Sequence, residues 1–225
     1  MVSGGLAAAW AGGLILHDSA RPASVKEALR RFRARDARPG PADGVYLYAT
    51  AGSESVDALG GARHVYPATT TVTAISTGCG VELRWASLED RSTTWLLCGD
   101  RLDLVGSTEV HRFFGQRDRT AYRCTGSVLR PAAASASFRC RSGSGVENGR
   151  VLLVGQARGE LHVRTEGRVT GGDRGAETVD WWLARGSAIP TRITLTSRTS
   201  RKVFLGRVHY REDADLRLSS PEPLR

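Results

Sequence analysis

The order of hydrophobic and polar positions divides the chain into three stretches with different periods. Residues 2–16 carry no charge, and Leu6-Ala-Ala-Ala-Trp-Ala-Gly-Gly-Leu-Ile-Leu16 is apolar almost throughout. From Ser24 to Arg33 the spacing is helical: Val25, Leu29 and Phe32 fall on one face and basic residues cover the others. Ser24 stands three residues before Glu27, the spacing of a capping box. Arg38-Pro39-Gly40-Pro41 ends this helix and acts as a linker.

From Gly44 onward the period is 2. Short β-prone runs occupy 45–50, 63–66, 69–76, 81–85, 93–98, 104–114, 122–125, 137–140, 151–156, 161–170, 178–183, 192–197, 203–210 and 216–218, separated by Gly, Pro, Asp and Ser. Without crossover helices between them, a parallel α/β fold is excluded. The expected fold is mainly β, an antiparallel meander forming a curved sheet or incomplete barrel with one N-terminal helix. The expected organisation is an apolar signal or anchor segment over 1–20, a basic helix and Pro/Gly linker over 21–43, a disulfide-bridged β domain over 44–220, and a tail over 221–225. Gly171-Gly172-Asp173-Arg174-Gly175 is read as a hairpin turn, because no helix follows it to cradle a phosphate. Gly115–Thr120 is read as a polar turn.

One strand carries adjacent tryptophans. Val179, Trp181 and Leu183 share one face, Asp180 and Trp182 the other, so both indoles cannot enter one core by simple pleating. The second indole implies cover by the Ser24–Arg33 helix, by a partner or by lipid.

The cysteines bear on compartment. Cys79, Cys98, Cys124 and Cys140 form an even set without a Cys-x-x-Cys pair, which favours disulfides over zinc. Folding at Leu88-Glu89-Asp90-Arg91 sets Cys79 opposite Cys98, Val81 opposite Leu96 and Leu83 opposite Thr94. Cys124 and Cys140 are balanced about Pro131-Ala132-Ala133 in the same way. Disulfides in turn point to an oxidising compartment. As a helix the apolar N-terminal stretch spans about 22 Å, which suits the core of a signal peptide better than a full span. No positive residue precedes it, so a longer anchor with an upstream part and a weak export signal both stay open, beside a plain Ala/Gly-rich terminus.

Charge adjusts the picture only locally. The chain has 32 Lys+Arg and 23 Asp+Glu, a net +9, and only Lys26 and Lys202 are lysine. Seven basic residues against Glu27 and Asp36 place +5 of this within residues 21–38. Positive residues following an apolar run favour the cytoplasmic side, which opposes the export reading. The remaining arginines are dispersed, with no basic stripe and no aromatic platform, so nucleic acid is not an expected partner.

Candidate chemistry is sparse. His17, His64, His111, His162 and His209 stand singly, which supports no metal site. His111 and Asp118 with a serine would make a triad on paper, but no Gly-x-Ser-x-Gly turn accompanies them. No catalytic residue and no cofactor is therefore assigned.

The segment Thr178-Val-Asp-Trp-Trp-Leu-Ala-Arg-Gly-Ser-Ala-Ile-Pro-Thr-Arg-Ile193 reads as a strand, a tight turn and a proline-led strand. It resembles the hairpin of bacterial envelope lipoprotein-carrier (LolA-like) proteins. That resemblance implies an incomplete barrel whose concave side takes acyl chains beneath helices. The chain as a whole, through Ser24–Arg33 and Val45–Tyr66, also resembles uncharacterised membrane-anchored proteins of high-GC Gram-positive bacteria. Four cysteines and the lack of further lid helices depart from the carrier pattern. The expectation is a non-enzymatic cell-envelope protein, membrane-anchored or secreted, that binds a hydrophobic ligand or a partner protein. Its partners would be lipid or an envelope protein, with a membrane surface met through the N-terminal segment, and the ligand wall would hold Trp181 or Trp182, Ile193 and Leu195. The alternative is a secreted hydrolase acting on envelope material.

Overall fold

The computed structural model describes residues 22–35, 39–57, 62–88, 91–98, 101–113, 116–121, 123–125, 135–141, 145–157, 159–184, 186–203 and 206–225, with backbone alone for 101–125 and for 62, 87–88, 91, 157 and 203. The apolar stretch Leu6–Leu16 and the Pro131–Ala133 turn lie outside the described residues.

The helix α1 (Val25–Arg33) starts where its cap is written: the Ser24 hydroxyl accepts the Glu27 N–H at 3.1 Å. Strands follow in the order β1 (Gly44–Asp57), β2 (Ala62–Val65), β3 (Thr69–Ser76), β4 (Val81–Leu88), β5 (Arg91–Cys98), β6 (Arg101–Phe113) and β7 (Gln116–Ala121). The second half supplies β8 (Arg123–Thr125), β9 (Ser135–Arg141), β10 (Gly145–Ala157), β11 (Glu160–Gly171), β12 (Asp173–Ala184), β13 (Pro190–Val203) and β14 (Gly206–Leu218). The chain is thus mainly antiparallel β, as the alternation predicts.

All described strands belong to one sheet of order β7-β6-β5-β4-β3-β1-β14-β13-β12-β11-β10-β9-β8, with β2 pairing β1 beside β3. Every neighbouring pair is antiparallel, and the first strand closes on the last: Tyr48 faces Leu218 and Asp57 faces His209. The two ends of the path, β7 and β8, are consecutive in the chain. The sheet must curl strongly, because Trp95 on β5 and Trp181 on β12 meet edge-to-face at 4.3 Å between ring centroids. Strands six places apart in a flat sheet would be separated by nearly 30 Å.

The curled inner face holds the core. Tyr46, Tyr48, Val72, Leu83, Trp85, Trp95, Val163, Trp181, Ile193 and Leu216 belong to one buried cluster. Beside the start of β1 pack α1, the linker and the C-terminal tail. Phe32 is buried where α1 packs on β1 and β3. Leu224 pairs with Val45 through two 2.9 Å backbone bonds. Asp43 ties the linker down by accepting from the Gly40 amide (2.9 Å) and from the Ser76 amide and hydroxyl (2.6 and 2.5 Å). Burial alone would raise the Asp43 pKa, but these donors outweigh it and hold the carboxyl below its usual range.

Four details differ from the sequence reading. Gln116–Ala121 is a strand, not a turn; its charged residues suit an edge position at one end of the sheet path. The run 203–210 spans two strands, with Val203 opposite Gly206, and 206–218 is continuous. In the β4–β5 hairpin Val81 faces Leu97 and Leu83 faces Trp95, one residue off the expected register; the ladder starts at Leu88 opposite Arg91, and an irregularity between Trp85 and Leu88 sets one extra residue in β4. Helix α1 sits on β1 and β3 and does not supply the cover expected for Trp182.

Candidate ligand-binding interior

The Cys79–Cys98 disulfide forms despite the register shift. Cys79 lies in the turn before β4, and its Cα stands 5.2 Å from that of Cys98, within bridging distance. In the other hairpin the backbone sets Cys124 directly opposite Cys140, as expected, and Cys140 is disulfide-bonded.

Alternation on β12 and β13 sorts the expected ligand wall into two faces. Trp181 faces Ile193 and Val179 faces Leu195; Trp181, Ile193 and Leu195 all point inward and are buried. Trp182 points outward, away from the other three. Its ring stacks on His162 of β11 at 4.5 Å and 13°, and the Arg192 guanidinium of β13 lies 4.7 Å from its centroid. His162 Nε2 lies 2.7 Å from Asp180, which also accepts from Arg164 at 2.9 and 3.2 Å; Arg192 is held by Asp215 at 2.8 Å. The outward indole is covered by its own cross-strand neighbours, so its presence no longer demands a helix, a partner or lipid.

Inside, the aromatic wall is wider than the sequence reading drew it. Trp85 packs edge-to-face on Tyr66 at 6.1 Å, and Trp95 packs on Trp181. Tyr48 donates to the Pro190 carbonyl at 2.7 Å, and burial pushes its hydroxyl pKa far up. The Trp85 and Trp181 indole N–H groups are buried and have no acceptor among the described residues. A buried donor without a partner is rare in proteins and costs about 1–3 kcal/mol.

The other end of the interior is polar. Across β1, β14, β13, β12 and β11 the inward row runs Glu54, Glu212, Ser197, Glu177 and Gly167. Glu147 of β10 extends it, its carboxyl lying where a side chain on Gly167 would be. Burial raises the Glu147 carboxyl from 4.5 to about 7. Tyr66 donates to Glu212, and the Tyr210 hydroxyl lies 2.5 Å from Glu212 and 3.0 Å from Glu54, able to donate to one at a time. His64 Nδ1 is 3.1 Å from Glu54 Oε1. Asp173 and Arg201 form a two-bond ion pair at 2.6 and 2.9 Å beyond this row.

The sequence reading named none of these glutamates. The signal was available: Glu177 shares its parity with Val179 and Trp181, Glu147 with Val151, and Glu212 with Ala214 and Leu216. Of the paper triad, backbone register sets His111 opposite Asp118 on β6 and β7, with their side chains outside the description. Among the described residues no group of three His, Cys, Asp or Glu could hold a metal, and no helix is long and apolar enough to cross a membrane. No protein-family model, curated protein or solved structure matches the chain.

Proposed function

We propose that this chain is a non-enzymatic protein of the cell envelope that receives a hydrophobic ligand on the inner face of its curled sheet. The observation that carries the reading is the pair of buried indole N–H groups, on Trp85 and Trp181, without acceptors among the described residues in an otherwise apolar wall. Apolar sites commonly set a few polar groups among hydrophobic ones to fix a ligand's orientation. A long-chain acyl group ending in a carboxylate or ester carbonyl fits that pattern, and it is the ligand class that the resemblance to lipoprotein carriers implies. Trp181, Ile193 and Leu195 form the wall, joined by Trp85 and Trp95. Trp182, packed on the outer face, belongs to the framework. The Cys79–Cys98 bridge supports the envelope location, since such bonds persist in oxidising compartments.

The test is titration of the purified, oxidised protein with a fluorescent long-chain fatty acid, alongside native mass spectrometry of protein from its own host. Saturable binding and an added acyl-lipid mass are expected. Trp85→Phe with Trp181→Phe keeps aromatic rings but removes both donors, and roughly tenfold weaker binding should follow at about 1 kcal/mol or less per hydrogen bond. Absence of binding by the unsubstituted protein in both measurements would overturn the proposal.

A further inference from the structure

The helix packed beside the start of β1 has a second, outward face. Phe32 is buried against β1 and β3, so α1 cannot rotate about its axis without losing its seat. Helical geometry then brings Lys26, Arg30 and Arg33 onto one outward stripe, with Arg31 on the flank. All four are exposed, as is Arg35 just beyond the helix. Glu27 is the one carboxylate among them: it binds Arg30 and Arg31 at 2.7 Å, and those donors hold its pKa down to about 2. Five basic side chains against one acid leave the helix and Arg35 at +4.

The setting is rigid on the sheet side. Arg33 donates to the Arg225 carbonyl at 2.5 Å, and Arg225 donates to the carbonyls of Pro41 and Asp43 at 2.6 and 3.2 Å. Helix, linker and tail therefore form one bolted cap that presents its basic stripe outward. Upstream in the sequence, separated from Ser24 by residues 17–23, comes the uncharged stretch of residues 2–16. An apolar segment followed by a cationic stripe on a fixed helix is the arrangement that meets an anionic bilayer surface.

We infer that the outward face of α1 docks on the headgroups of anionic lipid. Charge complementarity selects the occupant: on this helix the exposed ammonium and guanidinium groups outnumber the single carboxylate, and phosphate-bearing headgroups are their natural counterions. The inference rests on the envelope part of the proposed function and not on the interior ligand.

Vesicle binding of the full chain tests it, comparing phosphatidylcholine vesicles with vesicles containing added phosphatidylglycerol. The apolar segment contributes to both, so the informative quantity is the ratio of the two affinities. Preference for the anionic vesicles is expected, collapsing as salt is raised. Lys26→Gln, Arg30→Gln and Arg31→Gln together should cut binding to anionic vesicles on the order of 100-fold, at roughly fivefold per residue, while binding to phosphatidylcholine stays unchanged. No preference for anionic vesicles, or a preference that salt or the triple variant leaves intact, would overturn the inference. So would equally tight binding to duplex DNA. The salt titration needs no variant, so a misfolded variant leaves the test intact. Because the fatty-acid titration reads the interior separately, failure of either idea is told apart from failure of the other.

Discussion

The two ends of the sheet interior are built on the same parity of the same strands and have opposite character. On β1 the inward positions run from Tyr46 and Tyr48 to Glu54; on β12 they run back from Trp181 and Val179 to Glu177; on β14 they run back from Leu216 and Ala214 to Glu212. A continuous pleat thus carries an aromatic–aliphatic core into a row of carboxylates without a break in pairing. The comparison teaches that inward alternation fixes where a side chain points, and the residue type alone decides what that place does. One end should hold the fold independently of pH, and the other should report pH.

The largest expected effect tests the first half of that statement. Trp181 is fully buried, packs on Trp95 and faces Ile193 across the hairpin. Trp181→Ala should cost about 3–5 kcal/mol of stability, from lost transfer energy and the cavity left behind. Denaturant unfolding at mildly acid and mildly alkaline pH should give the same loss. A loss that changes with pH would show that the two ends are not separate.

A smaller effect comes from Glu147 at the polar end. Its folded carboxyl titrates near 7 against an ordinary value of 4.5. Below the ordinary value the group is protonated folded and unfolded, and stability is unaffected. Between the two values the folded state keeps a proton that the unfolded state has lost, so stability falls as pH rises. Above 7 the penalty is constant, at most about 3 kcal/mol. Glu147→Gln should remove this slope and leave the protein more stable than its parent at alkaline pH. Parallel stability–pH curves for the two proteins would contradict the assignment.

How much of this was legible depends on which relation a residue needs. The helix, its Ser24 cap, most strands and the opposite orientations of Trp181 and Trp182 follow from spacing alone. The Cys79–Cys98 bridge was also readable, although the hairpin register was not, since nothing in the sequence fixes Leu88 and Arg91 as the closing pair or announces the irregularity after Trp85. The cover over Trp182 needs the partners of β12 on both sides, His162 and Arg192, which only the register supplies. The glutamate row was hidden for a different reason. A glutamate at the inward phase near a strand end reads as a solvated edge, and strands of 12 to 14 residues carry it inside instead. The curl that sets β5 against β12 is a property of the whole sheet, and no local pattern states it.

The smallest effect gives the most direct comparison, because the same atom is removed at both ends. Tyr48 donates to the buried Pro190 carbonyl at 2.7 Å, whereas Tyr210 donates between the carboxylates of Glu212 and Glu54. Each Tyr→Phe change deletes one hydroxyl and should cost about 1 kcal/mol, since a net hydrogen bond is worth little more than that. The acceptor at Pro190 is a backbone carbonyl that does not titrate, so the Tyr48→Phe loss should be constant with pH. The acceptors of Tyr210 are carboxylates, whose bonds to a donor are stronger when ionised. The Tyr210→Phe loss should therefore shrink under acid conditions, where carboxylates in general take up protons. Paired unfolding curves at neutral and acid pH measure both. Equal pH responses from the two variants would mean that the carboxylate end is not electrostatically distinct from the core, and the division of the interior into two ends would fail with it.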